Sequence, residues 1–460
     1  MSENWIWYKG GEEKENKKYL VLLDNWLEII LKGGILMKKA IFLMVFLTIF
    51  LMVFLLMGTV ASFSATTIRF SVWGAPAELP PYLEIIKEFE TQNPDIKVEL
   101  ISAPWSSYFD KIQAMMAAED APDVMFLHTI PSWAAKEVLQ DLSAFISDSN
   151  FPVESYNAEL LSTFTYKGKI YGFPRDNDTS VLFYNKDLFD KAGVAYPDYS
   201  WDWDKFLDAS QKLTERDNKG RIIQYALVLE RNKWQLWVYM NGGRLVDDLD
   251  NPTKCVLYER NVVEAITFLK DLVLEYQVIP SPAGLAQLGS SAELFTTGRV
   301  AMVISNAAQI SSFVTNKDLH FGIAPLPYRI KRANSLGGAG FVMYSKSKYK
   351  TEAWKFMQFL CGFEGQSIFA KSGDAVPAMR TTETANAFAS NPPSEYERRI
   401  FFTETSFGIK DPQIPGWYDI FSNYIIREMD YIWMGQKSVV DVLGYVSEEA
   451  TRRIQEAGSW

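Results

Sequence analysis

From Thr67 onward the apolar residues repeat with two alternating periods. Thr67 to Trp73 alternates apolar and polar positions and stops at Gly74, the pattern of a strand. Tyr82, Ile85, Ile86 and Phe89 then recur at helical spacing, which predicts a helix over 82–91 that Asn93-Pro94 ends. Ile96 to Ile101 reads as a second strand, Tyr108 to Ala118 as a helix, and Pro122 to Leu127 as a third, largely apolar strand. Ser132 to Leu139 is helical again. Strands alternating with helices in this order predict an α/β fold with a mainly parallel sheet covered by helices on its faces.

A second region repeats the theme. Ser180–Tyr184, Tyr225–Leu229 and Val300–Ile304 read as strands. Trp203–Leu213, Val262–Tyr276, Ala353–Leu360 and Phe363–Lys371 read as helices, as do Phe421–Trp433 and Val439–Ala457 near the end. Asp217 to Gly220 reads as a turn between extended pieces. It lacks the alternating oxygen ligands and the closing Glu of a calcium loop.

The N-terminal pattern is different. Lys38-Lys39 precede an apolar run from Ala40 to Met57 broken only by Thr48, and small residues follow up to Ala65. That succession predicts a signal peptide over 37–64, cleaved after Ser64, with small Ser62 and Ser64 at the cleavage positions. The run also reaches the roughly 20 residues that span a bilayer, so an uncleaved membrane anchor is the alternative. The lack of a Cys near the cleavage site excludes the usual lipid-anchored form. Residues 1–36 fit no secretory pattern. Lys32-Gly33-Gly34 can be back-translated to a purine-rich ribosome-binding sequence just before the Met37 codon, so 1–36 is expected to be untranslated upstream sequence.

Composition narrows the function. Removing 1–64 takes away seven Lys and six acidic residues, which leaves 39 basic and 50 acidic residues and a net charge of −11. This balance argues against a nucleic-acid binder. With two His and two Cys in the chain, a His/Cys zinc site or a Cys/His nucleophile has few residues to draw on, and no cofactor or metal is expected. Aromatics at 14 % exceed what an ordinary core needs, so some are expected to line a site.

Candidate site residues fall at strand ends, where open α/β sheets bind ligands. Arg175, Asp176, Asn177 and Asp178 form a polar run between the apolar Ile170–Pro174 and the strand at Ser180. Carboxylates, amides and guanidinium are natural partners for hydroxyls, which both donate and accept. Trp73 ends the first strand; His128 and Thr129 follow the third; Asn306 follows Val300–Ile304. Trp234 precedes Tyr239–Gly243, and Trp417 and Tyr418 follow the chain-breaking Pro415-Gly416. Aromatic rings of this kind stack on the apolar face of a sugar. Trp203 and Trp354, on amphipathic helices, read as core. Gly337–Gly340 lacks the Lys of a phosphate loop, and Gly338 is expected to let backbone approach a ligand. His320 has no evident partner.

Four stretches carry a resemblance: Pro122–Phe126; Tyr171–Pro174 leading into Leu182–Gly193; Phe295–Ile304; and Gly337–Phe341 followed by Ala353–Leu360. Together they resemble the family 1 extracellular solute-binding proteins of ABC importers, the carbohydrate-type group that includes maltose-binding protein. The segment Tyr184–Phe189, with Ala192-Gly193 after it, is the most specific part. The resemblance implies a two-lobed periplasmic-binding-protein fold of type II, with a hinge crossed three times and a ligand cleft between the lobes. Carried over, one lobe takes 66–176 plus 336–382 and the other 177–335 plus 383–460. It implies a monomer, periplasmic or otherwise extracytoplasmic, that captures a mono- or oligosaccharide and delivers it to ABC permease subunits, without enzymatic activity. It aligns Asp178 with an acidic ligand-binding residue and Trp417 with a stacking aromatic. The sequence departs from maltose-type members at Ala307-Ala308, where they carry an aromatic. Cys255 and Cys361 would fall in different lobes, where a disulfide would block closure, so both are expected to be free and buried. The rival function is a secreted carbohydrate-cleaving enzyme. It needs two carboxylates about 5–10 Å apart; Asp176 or Asp178 could supply one, and nothing in the sequence nominates the other. A surface protein held by an uncleaved anchor is a third reading, but it explains neither the aromatics nor the hinge segment.

Exported protein is predicted to begin at Ala65 or within a few residues of it. N-terminal sequencing of the native protein checks this, and recovery of residues 37–64 only in detergent extracts would refute cleavage.

Overall fold

The computed structural model describes residues 42–50, 52, 65–74 and 76–457. The chain divides into a unit over Met1–Ser64 and a unit over Ala65–Trp460. Residues 42–50 are helical with exposed side chains, while the rest of the expected signal peptide, its cleavage site and the 1–36 extension lie outside the described residues. Among the described residues no helix is long and apolar enough to cross a membrane.

The larger unit is built on two five-stranded sheets. In chain order the strands used below are β1 (Thr66–Trp73), β2 (Ile96–Ala103), β3 (Val124–Leu127), β4 (Gly172–Pro174), β5 (Asp176–Asn177), β6 (Val181–Asn185), β7 (Ile222–Val228), β8 (Val300–Ser305), β9 (Phe321–Ala324), β10 (Asn334–Leu336), β11 (Gly340–Met343), β12 (Val376–Pro377) and β13 (Gly408–Lys410). The first sheet has the order β2-β1-β3-β11-β4. The second runs β9-β6-β8-β7 and ends on Glu215–Arg216. β1 pairs in parallel with β2 and β3, as the βαβαβ pattern predicts. β11 is antiparallel to both its neighbours, and in the second sheet only β7 and β8 are parallel. The expectation of a mainly parallel sheet therefore fails for the second sheet. The reason is connectivity. β6 and β11 begin where the chain arrives from the other sheet, so they start at the edge where β1, β3 and β8 finish.

Each sheet has its own core. Ile68, Phe70, Phe126, Phe341 and Phe356 pack on the first sheet, and Leu182, Phe206, Trp237, Ile266 and Met302 on the second. The helices follow their apolar periods. Trp203–Leu213 buries Trp203, Phe206, Ala209, Ser210 and Leu213 on one face, and Asp202 caps it by accepting from the Lys205 N–H. Cys255 and Cys361 are free and buried, one in each core.

Two short ribbons join the halves: β5 paired antiparallel with β12, and β10 paired parallel with β13. Buried polar side chains tie them together. The Asn334 amide accepts from the Ser180 N–H (3.1 Å) and donates to the Ser180 carbonyl (2.7 Å) and to Glu404 Oε2 (3.2 Å). Asn177 Nδ2 donates to Thr179 Oγ1 and Thr405 Oγ1, both at 2.5 Å. Glu404 is 1 % exposed, and its Oε1 lies 3.8 Å from Arg332 Nη1, close enough for attraction but with neither atom hydrogen-bonded.

Burial pushes the Glu404 carboxyl up to about 7, against the Asn334 hydrogen bond and the Arg332 charge. Its pKa in the folded state lies above its unfolded value, so the folded protein binds the proton more tightly. The cost of ionising it is absent below the unfolded pKa and complete above the folded one. Glu404→Gln should remove this dependence. The stability of the native protein relative to the variant should fall by up to about 3 kcal/mol between about pH 4.5 and pH 8. Chemical denaturation of both proteins across that range tests it, and a constant difference would reject it.

Candidate functional site

A cavity of about 530 Å³ lies between the two sheets. Strand ends and hinge loops converge on it. β1 delivers Trp73, and β3 delivers His128 and Thr129. β5 and the residue after it deliver Asp176, Asn177 and Asp178, and β8 delivers Asn306. The loop after β10 delivers Gly338, and the segment after β13 delivers Asp411, Gln413, Trp417 and Tyr418.

Aromatic rings form the wall on the first sheet's side. Trp73 packs on Phe126 (4.0 Å) and against Trp105 (4.5 Å, edge-on). Trp105 is 55 % exposed and lies nearly parallel to the His128 ring at 5.8 Å. His128 also meets Phe109 at 4.5 Å and, across the cavity, Tyr418 at 5.7 Å. Burial among these rings lowers the imidazole to about 4, so His128 is neutral near pH 7. Thr129 donates to the His128 carbonyl (2.7 Å) and adopts the left-handed conformation (φ 55°) that turns the chain into the next helix. On the opposite wall Trp417 stacks on Phe421 at 5.9 Å, and Tyr418 is exposed to the cavity. The backbone N–H of Gly416 donates to Ser132 Oγ (3.0 Å), which links the two walls at one end.

The floor is polar. The Arg175 guanidinium donates to Asp176, with Nε at 3.0 Å from Oδ2, and to Tyr82 Oη at 2.5 Å. Phe126 and Phe369 pack on it, at 4.6 and 5.7 Å. Asn306 Nδ2 donates to Asp178, and Lys233 donates to Ser180 Oγ at 3.0 Å. Burial pushes the Asp178 carboxyl above the usual carboxylate range and Asp411 up to about 6, while the Lys233 ammonium works against both shifts. Both carboxylates sit within the protein mass yet are wetted by the cavity.

Eleven of the twelve residues singled out from the sequence line this cavity: Trp73, His128, Thr129, Arg175, Asp176, Asn177, Asp178, Asn306, Gly338, Trp417 and Tyr418. Trp234 does not. It is 1 % exposed and packs on Phe421 at 5.6 Å, so it supports the residue on which Trp417 stacks. Its helix, Trp234–Met240, buries every residue except Gln235, and Lys233 and Gln235, not the Trp, reach the cavity. Trp417 has a double role, because it is only 5 % exposed and belongs to the second core as well as the wall. Gly338 is needed for a different close approach than expected. A Cβ there would lie 2.5 Å from the Asp176 carbonyl oxygen, so the glycine lets two hinge passes touch. His320 has a partner, Asp187, at 3.0 Å, away from the cavity.

Trp105, Lys233, Asp411 and Gln413 were not evident from the sequence. Trp105 follows Pro104 at the end of β2, so the rule that selects Trp73 would have found it. Lys233 and Asp411 carry no such local signal, because their meeting depends on how the second half folds back.

A sequence profile described as bacterial extracellular solute-binding protein matches residues 75–366. The arabinooligosaccharide-binding protein of Bacillus subtilis (strain 168) is 26 % identical over 303 residues, which are 62 % of this chain and 66 % of that protein. The sn-glycerol-3-phosphate-binding periplasmic protein of Salmonella paratyphi A is 22 % identical over 81 % of this chain and 90 % of its own length. Among solved structures, an ABC substrate-binding protein of Listeria monocytogenes in complex with cycloalternan superposes with a TM-score of 0.76. It is 28 % identical and covers 85 % of this chain and 99 % of that one. The two sheets joined by a double-ribbon hinge, the cavity between them and the profile match over most of the chain agree: this protein belongs to the bacterial extracellular solute-binding protein family.

Proposed function

We propose that the chain is the extracytoplasmic substrate-binding component of an ABC importer. It captures a sugar or oligosaccharide between its lobes and hands it to the permease as a non-catalytic monomer. The observation that carries this reading is the composition of the cavity: a polar floor at the hinge between an aromatic wall of Trp73, Trp105 and His128 and a facing one of Trp417 and Tyr418. Stacking surfaces opposite hydrogen-bonding groups match a sugar ring, which has an apolar face and a hydroxylated rim. The sugar ligands named for the similar proteins of B. subtilis and L. monocytogenes support the same reading. The lobe boundaries proposed are 66–176 plus 336–382 for one lobe and 177–335 plus 383–460 for the other, with the mature chain starting at Ala65. Lobe closure about the two ribbons would bury the ligand.

A thermal-shift screen over oligosaccharides tests the assignment. A ligand at 100 times its dissociation constant should add about 2.7 kcal/mol of stability. Failure of every sugar to shift the transition would count against the reading, and recovery of cleaved sugar would favour a hydrolase instead.

The aromatic walls give a sharper expectation. Trp105→Ala should weaken sugar binding by about 1–3 kcal/mol, because an exposed stacking ring is lost. Its effect on stability should stay at about 1 kcal/mol, because the half-exposed ring gives up only its contacts to Trp73, Phe109 and His128. Trp417→Ala should weaken binding and also destabilise the fold by about 3–5 kcal/mol, because that ring is core as well. Calorimetric titration beside denaturation of both variants separates the roles. Unchanged affinity in Trp105→Ala would remove Trp105 from the binding surface.

A further inference from the structure

The cavity carries a bias in charge and in hydrogen-bonding capacity. Its charged lining residues are Arg175 and Lys233 against Asp176, Asp178, Asp374 and Asp411, two positive against four negative. Both cations are already paired with protein acceptors. Arg175 donates from Nε and Nη2 to Asp176 and from Nη1 to Tyr82 Oη, and Phe126 and Phe369 pack on its guanidinium. Lys233 donates to Ser180 Oγ and interacts with both Asp178 and Asp411. The side-chain amide of Asn306 is likewise engaged, donating to Asp178.

What remains is rich in acceptors. Asp178 and Asp411 are wetted by the cavity. Gln413 donates its Nε2 to the Asp411 carbonyl at 2.7 Å, which fixes the orientation of its amide. Its Oε1 is buried, without a hydrogen-bond partner among the described residues, and so is Oε1 of Gln235, another lining residue. Each of these atoms needs a donor. A hydroxyl brings one, whereas an ionised carboxylate or phosphate brings only acceptors and negative charge. Such a group would leave the amide oxygens unpaired and stand beside two carboxylates, and both effects count against it.

We infer that this cleft selects an uncharged, polyhydroxylated sugar whose hydroxyls donate to Asp178, Asp411 and Gln413, and rejects sugars or polyols that carry a carboxylate or a phosphate. The inference rests on the sugar-receptor reading and divides its relatives. It places the ligand with the arabinooligosaccharide class and not with the sn-glycerol-3-phosphate class.

The test is calorimetric titration with matched probes: galactotriose against trigalacturonate, maltotriose and arabinotriose as further neutral arms, and sn-glycerol 3-phosphate as the phosphate arm. At least one neutral sugar should bind, with the acidic probes about tenfold or more weaker. The ratio of acidic to neutral affinity should rise severalfold in Asp411→Asn, and in Asp178→Asn if the first variant folds poorly, because each removes one like charge. An acidic probe that binds as tightly as the best neutral one would overturn the inference and leave the sugar-receptor reading standing. An unchanged ratio in a folded variant would overturn it as well. Binding by none of the probes would strike the receptor reading itself, and the inference with it.

Discussion

The side chain of Asn334 does for the hinge what a neighbouring strand does within a sheet. Its amide answers both the N–H and the C=O of Ser180, on a different pass of the chain, and its remaining donor reaches Glu404 on a third. Asn177 ties the first pass to Thr405 in the same way. These groups are buried, so leaving any of them unpaired would cost about 1–3 kcal/mol. That penalty holds the crossing segments in register while the ribbons themselves stay only two or three residues long. Short ribbons can twist; long ones would lock the two sheets together. The cavity depends on this, because Asp176, Asn177 and Asp178 reach it from a segment whose position the network sets.

The same connectivity explains why the cavity-lining residues gather at one edge of each sheet. β1 and β3 end at the cavity, and so does β8, while β6 and β11 begin there after crossing. Every strand that meets the hinge therefore presents a terminus to the cleft, and side chains just past a strand escape the packing demands of the sheet. Trp73, His128 and Asn306 occupy such positions. Gly338 and Gly340 are small for a related reason: a Cβ at either would run into a carbonyl oxygen, of Asp176 and Phe173 respectively.

This explains which features could be read in the sequence. Helices with a clean apolar stripe were legible to the residue, as Trp203–Leu213 and Val439–Ala457 show. Strand ends were legible too, and they gave most of the cleft. Two kinds of residue were not. Trp234 and Trp237 sit on a helix that buries every residue but Gln235, and one polar residue does not make a polar face that betrays its orientation, so a core Trp could not be told from a stacking one. Lys233, Asp411 and Gln413 are the opposite case. They are polar residues in segments without periodicity, and only the tertiary fold shows that the lysine lies near Asp411 and Asp178. The final helical stretch also deviates, because Asp419–Ile425 is a π-helix before the α-helix Ile426–Trp433 begins. That irregular turn lies beside Trp417 on the cavity wall, in keeping with the tendency of such turns to occur at functional sites.

Charge in the cleft follows from the same economy of partners. From the sequence alone, an arginine at the hinge is open to two readings: a partner for an acidic ligand, or a partner for the neighbouring Asp176 or Asp178. In the fold it donates to its neighbour Asp176 and to the distant Tyr82, and Phe126 lies beneath it, so it braces the first core against the hinge. The groups left unpaired at the cavity are carboxylates, whose hydration is lost when a ligand arrives, and buried amide oxygens that lack a donor. An uncharged hydroxyl replaces that lost water with a hydrogen bond of the same polarity and adds no charge of its own. Lys233, between Asp178 and Asp411, keeps the two acids from repelling each other as water is excluded. Closure around a neutral ligand therefore strengthens attractions already present in the cleft, whereas closure around an anion would strengthen repulsions.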